Sequence, residues 1–501
     1  VSVAPPFHRL VVANRGEIAV RVMRACRELG IESVALYSDA DRDALHVRAA
    51  DRAERIGPAA AGESYLSIPA VVEAALRSGA DALHPGYGFL SENGAFARAV
   101  IDAGLAFVGP APATLAALGD KLAARRLVAE AGVPVVPGLM VPLTEDEMDL
   151  EAVGFPALLK AAAGGGGRGM RRVDSPREVG PALATARREA MAAFGDGTVY
   201  AERLVSPARH VEVQLLGDRH GTLATLGERD CSVQRRHQKL VEESPSPAVT
   251  PEIRAALMES ARRVAGTVEF ENAATVEFLL DADGNHYFLE MNTRLQVEHG
   301  VTELVTGLDL VSWQIRIAAG EAMGDEVLAA APRGHAIEAR VYAEDPYDGF
   351  RPVAGAVSTW EMPAGPGVRV DAGVEAGTRL RPEYDPLLAK LLVHAADRPA
   401  AVSRLRRALD ETLIGGVQTD LGFHRWLVDE TGFGAGSYDT SLVADRWGRG
   451  PDLTPEEMDL AAAAARDARL AAAPAERSAS LGASPVESAW ATQARRDGID
   501  R

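Results

Sequence analysis

Cysteine is nearly absent from this chain. Its 501 residues include two, Cys26 and Cys231, far apart in the sequence. So few exclude a disulfide framework and fit a reducing cytoplasm. Long apolar runs are missing as well. None reaches the ~18 residues that a membrane span needs, so no membrane partner is expected. The opening stretch Val1-Ser2-Val3-Ala4-Pro5-Pro6 lacks the basic start and apolar centre of a signal peptide. Positive charge is in deficit, with a formal net charge of −18 at pH 7. That argues against nucleic acid as the main partner, and it confines any phosphate site to a local basic cluster. No internal repeat is present. What remains is an ordinary globular composition, 47% apolar and 25% charged, at a length that suggests about three domains.

What is there is organised as strands and helices in alternation. Leu10-Val11-Val12-Ala13 reads as a buried strand and Asn14-Arg15-Gly16-Glu17 as a turn. Ile18, Val22, Cys26 and Leu29 then recur at helical spacing, Gly30 stops the helix, and Ser33 to Tyr37 is the next strand. The pattern continues with a helix from Ile68 to Leu76, a strand from Ala80 to His84, a helix from Phe96 to Ala103 and a strand from Ala106 to Val108. Residues 1–118 therefore read as an α/β domain with a parallel sheet. Ligands bind such sheets at the carboxyl ends of the strands, where Asn14 to Glu17 and His84-Pro85-Gly86-Tyr87-Gly88-Phe89 lie. A helix over Leu122 to Ala131 follows, then strands over Ala157 to Lys160, Val199 to Glu202 and His210 to Leu215. The last alternates, so one of its faces should be wet or carry polar function. From about Arg333 to Trp447, alternating strands (Ala336 to Tyr342, Leu388 to His394) and a helix (Pro399 to Leu413) suggest an antiparallel sheet. Beyond about Gly450, a capped Ala-rich helix starting at Thr454-Pro455-Glu456-Glu457 leads into an unpatterned tail.

The densest chemistry is Glu290-Met291-Asn292-Thr293-Arg294-Leu295-Gln296-Val297-Glu298-His299. Glu290 and Asn292 point to one face of a strand. Glu277 interrupts another apolar strand, Ala274 to Leu280. Two carboxylates and an amide on neighbouring strands make a hard oxygen site for Mg²⁺ on a nucleotide. Glu298, about one helical turn from Arg294, can be held ionised by that guanidinium and so act as a base. The glycines 164 to 167 and Gly169, with Lys160 upstream and Arg168 inside, suit a phosphate-covering lid and equally a hairpin tip. They are not a Walker motif, which needs Gly-Lys-Ser/Thr. The run Glu228 to Lys239 packs five basic side chains into twelve residues, without a helical or strand stripe. It reads as an anion site or as a solvated face. Cys231 reads as a small buried residue. Glu338 and Arg340 share a strand face, which reads as a cross-strand ion pair.

Taken together, Ala13 to Ala19, His84 to Asn93, Arg229 to Lys239 and Glu290 to His299 closely resemble biotin carboxylase, the ATP-grasp component of acyl-CoA carboxylases. The resemblance runs from about Leu10 to Trp447. It implies an α/β and α+β fold. A parallel α/β domain (pre-ATP-grasp) would span 1–118, and an ATP-grasp domain 119–332, with a mobile glycine-rich lid at about 133–204. A mixed antiparallel-sheet domain would span 333–447, followed by a helix and tail at 448–501. It implies ATP, Mg²⁺ or Mn²⁺, and biotin supplied on a carrier. Lys121, Lys160, Gly166 and Gly167 would bind ATP phosphates. Glu202, Arg203, Leu204 and Val205 would read adenine through the backbone, and His210, Gln234 and His237 would complete the pocket. Glu277, Glu290 and Asn292 would hold the metal. Lys239, Arg294, Gln296 and Val297 would bind bicarbonate, with Glu298 as base, Arg340 on the biotin enolate and Tyr87 near the biotin ring. A biotin carboxyl carrier protein and a carboxyltransferase subunit are the implied partners, because no Met-Lys-Met biotinylation site occurs, and a homodimer is expected. The chain departs from the family at Ala163, in place of a first lid glycine. It departs again at Gly300, in place of a proline that would stiffen the turn behind the base, and at Asp420, in place of asparagine. Ser484 to Trp490 resembles the linker that precedes the carrier region in longer subunits.

Overall fold

A computed structural model of the chain describes residues 5–144, 150–162 and 170–448. Residues 1–447 cluster as one compact unit. The glycine segment 163–169, with Gly166 and Gly167, and the helix and tail expected beyond residue 448 lie outside the described residues.

The amino-terminal part is a five-stranded sheet in the order Arg52–Gly57, Glu32–Ser38, Arg9–Val12, Ala82–His84, Ala106–Phe107. Every pairing in it is parallel. Its inner strands, Arg9–Val12 and Ala82–His84, are apolar on both faces because packed cores cover both, whereas the edge strand Arg52–Gly57 is largely polar and exposed. The helix Gly16–Glu28 buries Ile18, Val22 and Cys26 on one face, as the spacing predicts. The turn expected at Asn14 to Glu17 is shorter than its four residues. Gly16 already begins the helix at φ 67°, which puts Glu17 in the first helical turn rather than in a loop.

An antiparallel sheet of eight strands forms the rest of the framework. Its order is His286–Asn292, Asn272–Asp281, Ala208–Gly217, Leu223–Arg235, Gln238–Ser244, His335–Tyr342, Leu387–Ala395, Val368–Ala372. The charged run Glu228 to Lys239 is therefore not free of a strand stripe. It is the end of one strand and the start of the next, joined by a tight hairpin at Arg236 and His237. Both turn residues have positive φ, 47° and 68°, as a two-residue turn between twisted strands demands. The helix expected over Pro399 to Leu413 spans Arg398–Glu411 instead, because Leu413 leaves it to pair with Glu361. A separate three-stranded sheet, Arg171–Val173, Ala157–Ala161 and Val199–Arg203, carries Lys160 and Glu202. Among the described residues no helix is long and apolar enough to cross a membrane.

Candidate active site

Strand register builds the site. Glu277 stands directly opposite Glu290 on one side and Glu212 on the other, so three carboxylates form a row across three strands. Such a row is stable in a buried place only if cations neutralise it. Lys121 Nζ donates to Glu290 Oε2 at 2.6 Å. Lys239 Nζ donates to Glu212, Glu277 and Glu298 at 2.6, 2.9 and 2.6 Å. Arg229, wholly buried, spends its donors on Glu212, Gln214, Thr275 and Thr302. His210 Nε2 lies 2.9 Å from Glu277 Oε2, and its Nδ1 lies 3.2 Å from the Gln234 amide. Burial disfavours the His210 cation, but Glu277 outweighs that and raises its pKa.

Glu298 has no exposed surface. Burial by itself would raise its carboxyl, but Lys239, then Arg340 and Arg229, hold it well below the usual carboxylate range. Arg340 Nη2 sits 3.0 Å from Glu298 Oε2 and 2.5 Å from Glu242 Oε1. The expectation that Arg294 keeps Glu298 ionised holds only as a longer-range attraction, weaker than those of Lys239, Arg340 and Arg229. The hydrogen bonds of Arg294 go to Glu92 at 2.9 Å, to the Gln296 side-chain oxygen at 2.9 Å and to Asn292 at 3.2 Å. The residues from Arg294 to Glu298 form an irregular link between strand and helix, so helical spacing does not apply there. Two buried donors of this cluster, Gln296 Nε2 and Arg340 Nε, have no hydrogen-bond partner. The cross-strand ion pair of Arg340 is with Glu242. The neighbouring Glu338 is buried with both carboxylate oxygens free of hydrogen bonds, and burial raises its pKa well above normal.

Beside this cluster, Lys160 Nζ donates to Glu202 at 2.8 Å and Arg125 to the same carboxylate at 2.5 Å. Arg203 is exposed, Val205 half-buried, and the Leu204 N–H is already given to Pro156 O. His237 projects from the hairpin tip. Partial desolvation, then Lys160, His210 and Lys121, lower its pKa and keep the imidazole neutral. Tyr87 stands apart from the carboxylate row, its hydroxyl donating to Glu17. Cys231 is buried as expected, with Sγ 3.9 Å from Glu298.

The donor set at Glu277, Glu290 and Asn292 fits a hard divalent cation. Two carboxylates face each other across one strand pair, and Asn292 stands beside them, its Nδ2 donating to Glu277 Oε1 at 3.0 Å and its Oδ1 accepting from Arg294 at 3.2 Å, the oxygen it would offer a cation. Three residues escaped sequence reasoning. Glu212 lies on the alternating strand whose polar face was flagged, between His210 and Gln214. Glu242 is hidden in the run after Lys239. Lys390 donates to Val297 O at 2.7 Å. Its signal was scarcity: of 53 basic residues only four are lysines, at positions 121, 160, 239 and 390. The first three were already assigned to phosphates and bicarbonate.

The chain is similar to known proteins along most of its length. Residues 6–115 match the family described as biotin carboxylase, N-terminal domain. Residues 120–326 match the carbamoyl-phosphate synthase L chain, ATP binding domain, and residues 338–445 the biotin carboxylase C-terminal domain. A biotin carboxylase from Nostoc sp. is 48% identical over 88% of this chain and 99% of its own. One from Halalkalibacterium halodurans is 46% identical over 89% and 100%. The crystal structure of the Campylobacter jejuni biotin carboxylase, described as a beta-gamma-ATP complex, superposes with TM-score 0.85 at 42% identity, over 87% of this chain and 98% of that one. The biotin carboxylase domain dimer of the Hydrogenobacter thermophilus 2-oxoglutarate carboxylase, with MgADP and bicarbonate, gives 0.86 at 42% identity, over 89% and 99%. Identity of this extent across all three segments leaves one assignment: the chain belongs to the biotin carboxylase family.

Proposed function

We propose that the chain carboxylates biotin at the expense of ATP and bicarbonate, as the first half-reaction of an acyl-CoA carboxylase. The single observation that carries this reading is Glu298, a buried carboxylate kept ionised by Lys239 and Arg340 beside two unpartnered donors. An anion that both accepts hydrogen bonds and gives up a proton meets every group there. Bicarbonate does both.

Glu298 takes the bicarbonate proton, while Lys239, Arg294 and the Gln296 amide hold the anion in line with the γ-phosphoryl group. The carbonate oxygen attacks phosphorus, the bond to the ADP oxygen breaks, and carboxyphosphate and ADP result. Lys121 and Lys160 spread positive charge over the transferred phosphoryl oxygens. Glu277, Glu290 and Asn292 would hold Mg²⁺ or Mn²⁺, which neutralises phosphate charge when bound. Carboxyphosphate breaks to CO₂ and phosphate. The phosphate removes the ureido N–H proton of biotin, Arg340 stabilises the enolate, and the nitrogen attacks CO₂. Glu202 to Val205, His210, Gln234 and His237 are assigned to the nucleoside side, Gly166 and Gly167 to the lid, and Val297 and Tyr87 to bicarbonate and biotin. The division into 1–118, 119–332, 333–447 and a tail from 448 is part of the same reading. So are a biotinylated carrier protein, a carboxyltransferase subunit, a homodimer and a cytoplasmic location, which the two buried free thiols support.

The test is ADP release by the purified protein with Mg²⁺, ATP and bicarbonate, with and without free biotin. Biotin-stimulated, bicarbonate-dependent release is expected. Release indifferent to biotin overturns the acceptor. Glu298→Gln is expected to lower turnover by about 10²–10⁴-fold with ADP binding retained. Glu290→Gln should abolish turnover with little change in folding, and wild-type turnover in that variant sinks the metal assignment.

A further inference from the structure

Lys390 takes no part in the chemistry above, yet it is wholly buried against it. In the sheet it stands directly opposite Arg340 on one side and Asp371 on the other. Directly opposed residues share a face, so two cations lie side by side beneath the loop that carries Glu298. Each grips one of two consecutive loop residues. Arg340 holds the Glu298 carboxylate at 3.0 Å, and Lys390 donates to the Val297 carbonyl at 2.7 Å. Lys390 Nζ also lies 3.5 Å from Glu17 Oε2, a buried oxygen with no hydrogen-bond partner. The other oxygen of Glu17 accepts from the Tyr87 hydroxyl. Asn14 Nδ2 fixes the backbone of the same tyrosine by donating to Tyr87 O at 2.8 Å.

We propose that Lys390 is a positioning residue that couples the bicarbonate loop to the biotin-facing tyrosine. Through Val297 O it sets the loop that presents Glu298. Through Glu17 it sets the hydroxyl of Tyr87. The proposal rests on the biotin carboxylase reading and extends it to a group outside the reacting atoms. Composition supports it independently. This chain uses arginine for nearly all its positive charge, and lysine survives at four positions. A compact ammonium fits a closed space between one carbonyl and one carboxylate. A planar guanidinium with five donors in a fixed fork does not.

The experiment uses the full chain and steady-state ADP release, with ADP affinity measured separately. Lys390→Met is expected to raise the KM for bicarbonate and for free biotin at least tenfold, with ADP affinity within twofold of wild type. Lys390→Arg, which keeps the charge, is expected not to rescue. Normal constants in the arginine variant show that bulk charge is enough, and overturn the geometric role. In a cycle with Tyr87→Phe, the biotin KM of the double variant is expected to match the worse single variant. Multiplying effects overturn the coupling. Where Lys390→Met fails to fold, Glu17→Gln decides. It removes only the biotin-side link, so a raised biotin KM with an unchanged bicarbonate KM is expected, and two unchanged constants overturn the proposal. A wild-type protein without biotin-stimulated turnover refutes the functional reading itself, a different result from active wild type with indifferent variants.

Discussion

Gly300 is the second residue of the helix His299–Thr306 and follows the proposed base by two positions. In place of the proline usual in the family, it was expected to loosen the turn behind Glu298. The structure fills that space instead. A Cβ at 300 would lie 2.4 Å from Leu392 Cδ2 and 3.3 Å from Glu338 Oε2. Leu392 thus packs against the bare backbone, and the helix start is held by a neighbour rather than by its own ring. Gly300→Ala is expected to cost about 1–3 kcal/mol by overpacking. Adding Leu392→Ala should recover part of that, giving a negative coupling in urea unfolding, whereas additive losses exclude the contact. The same scale explains why Glu298 was legible as a base but its partners were not. Lys239 and Arg340 reach it from 59 and 42 residues away, distances over which periodicity carries no information. Arg294 is near in sequence, yet its hydrogen bonds go to Glu92, Gln296 and Asn292 and none to Glu298.

At the scale of elements, the strand Gln238–Ser244 carries function on one end and stability on the other. Its Glu243 is buried and accepts from His335 at 2.5 Å, from Arg398 at 2.7 and 3.0 Å, and from the Tyr438 hydroxyl. These contacts tie the strand to the helix Arg398–Glu411 and to the segment before the last helix. Burial alone would raise the Glu243 carboxyl, but hydrogen bonds from His335 and Arg398 reverse this and lower it from 4.5 to about 2. The sign follows. In the acid range the unfolded chain binds this proton first, so the contribution is complete above pH 4.5 and is lost as pH falls towards 2. Its full size is on the order of 3 kcal/mol. Glu243→Gln is expected to lower stability by about that amount at pH 7. The gap between variant and wild type should close on acidification. A gap that has not shrunk between pH 6 and pH 2.5 in denaturant titrations rules out the carboxylate as its source.

At the scale of the molecule, one sheet crosses the boundary expected near residue 332. Gln238–Ser244 pairs with His335–Tyr342, so strands of the nucleotide-binding part and of the carboxyl-terminal part share hydrogen bonds and a core. Val233, Leu240 and Val241 pack with Ile337, Leu391 and Val393 in that core. A chain ended after residue 332 would expose the strand edge at Val241 to Ser244 and strip Val233, Leu240 and Val241 of most of their apolar neighbours. It is expected to aggregate, whereas the full chain unfolds these two parts in one transition. A soluble, ADP-binding fragment 1–332 would show that the shared sheet is dispensable.

The sequence by itself determined part of the local order: the alternating strands and helices of the amino-terminal part, that its sheet is parallel, and which residue types cluster around Glu290 to Glu298, but not the strand pair that the charged run Glu228 to Lys239 belongs to. Periodicity and turn chemistry are short-range, and the family motifs are contiguous, so both can be read from neighbours along the chain. Only the tertiary structure decided who neutralises whom. The row Glu290, Glu277 and Glu212 exists because three strands align in one register. Lys390 meets Val297 because a carboxyl-terminal strand lies under a loop 93 residues earlier. A buried charge takes its meaning from whatever packs within a few ångströms, and packing at that range is a property of the folded sheet, not of the chain that forms it.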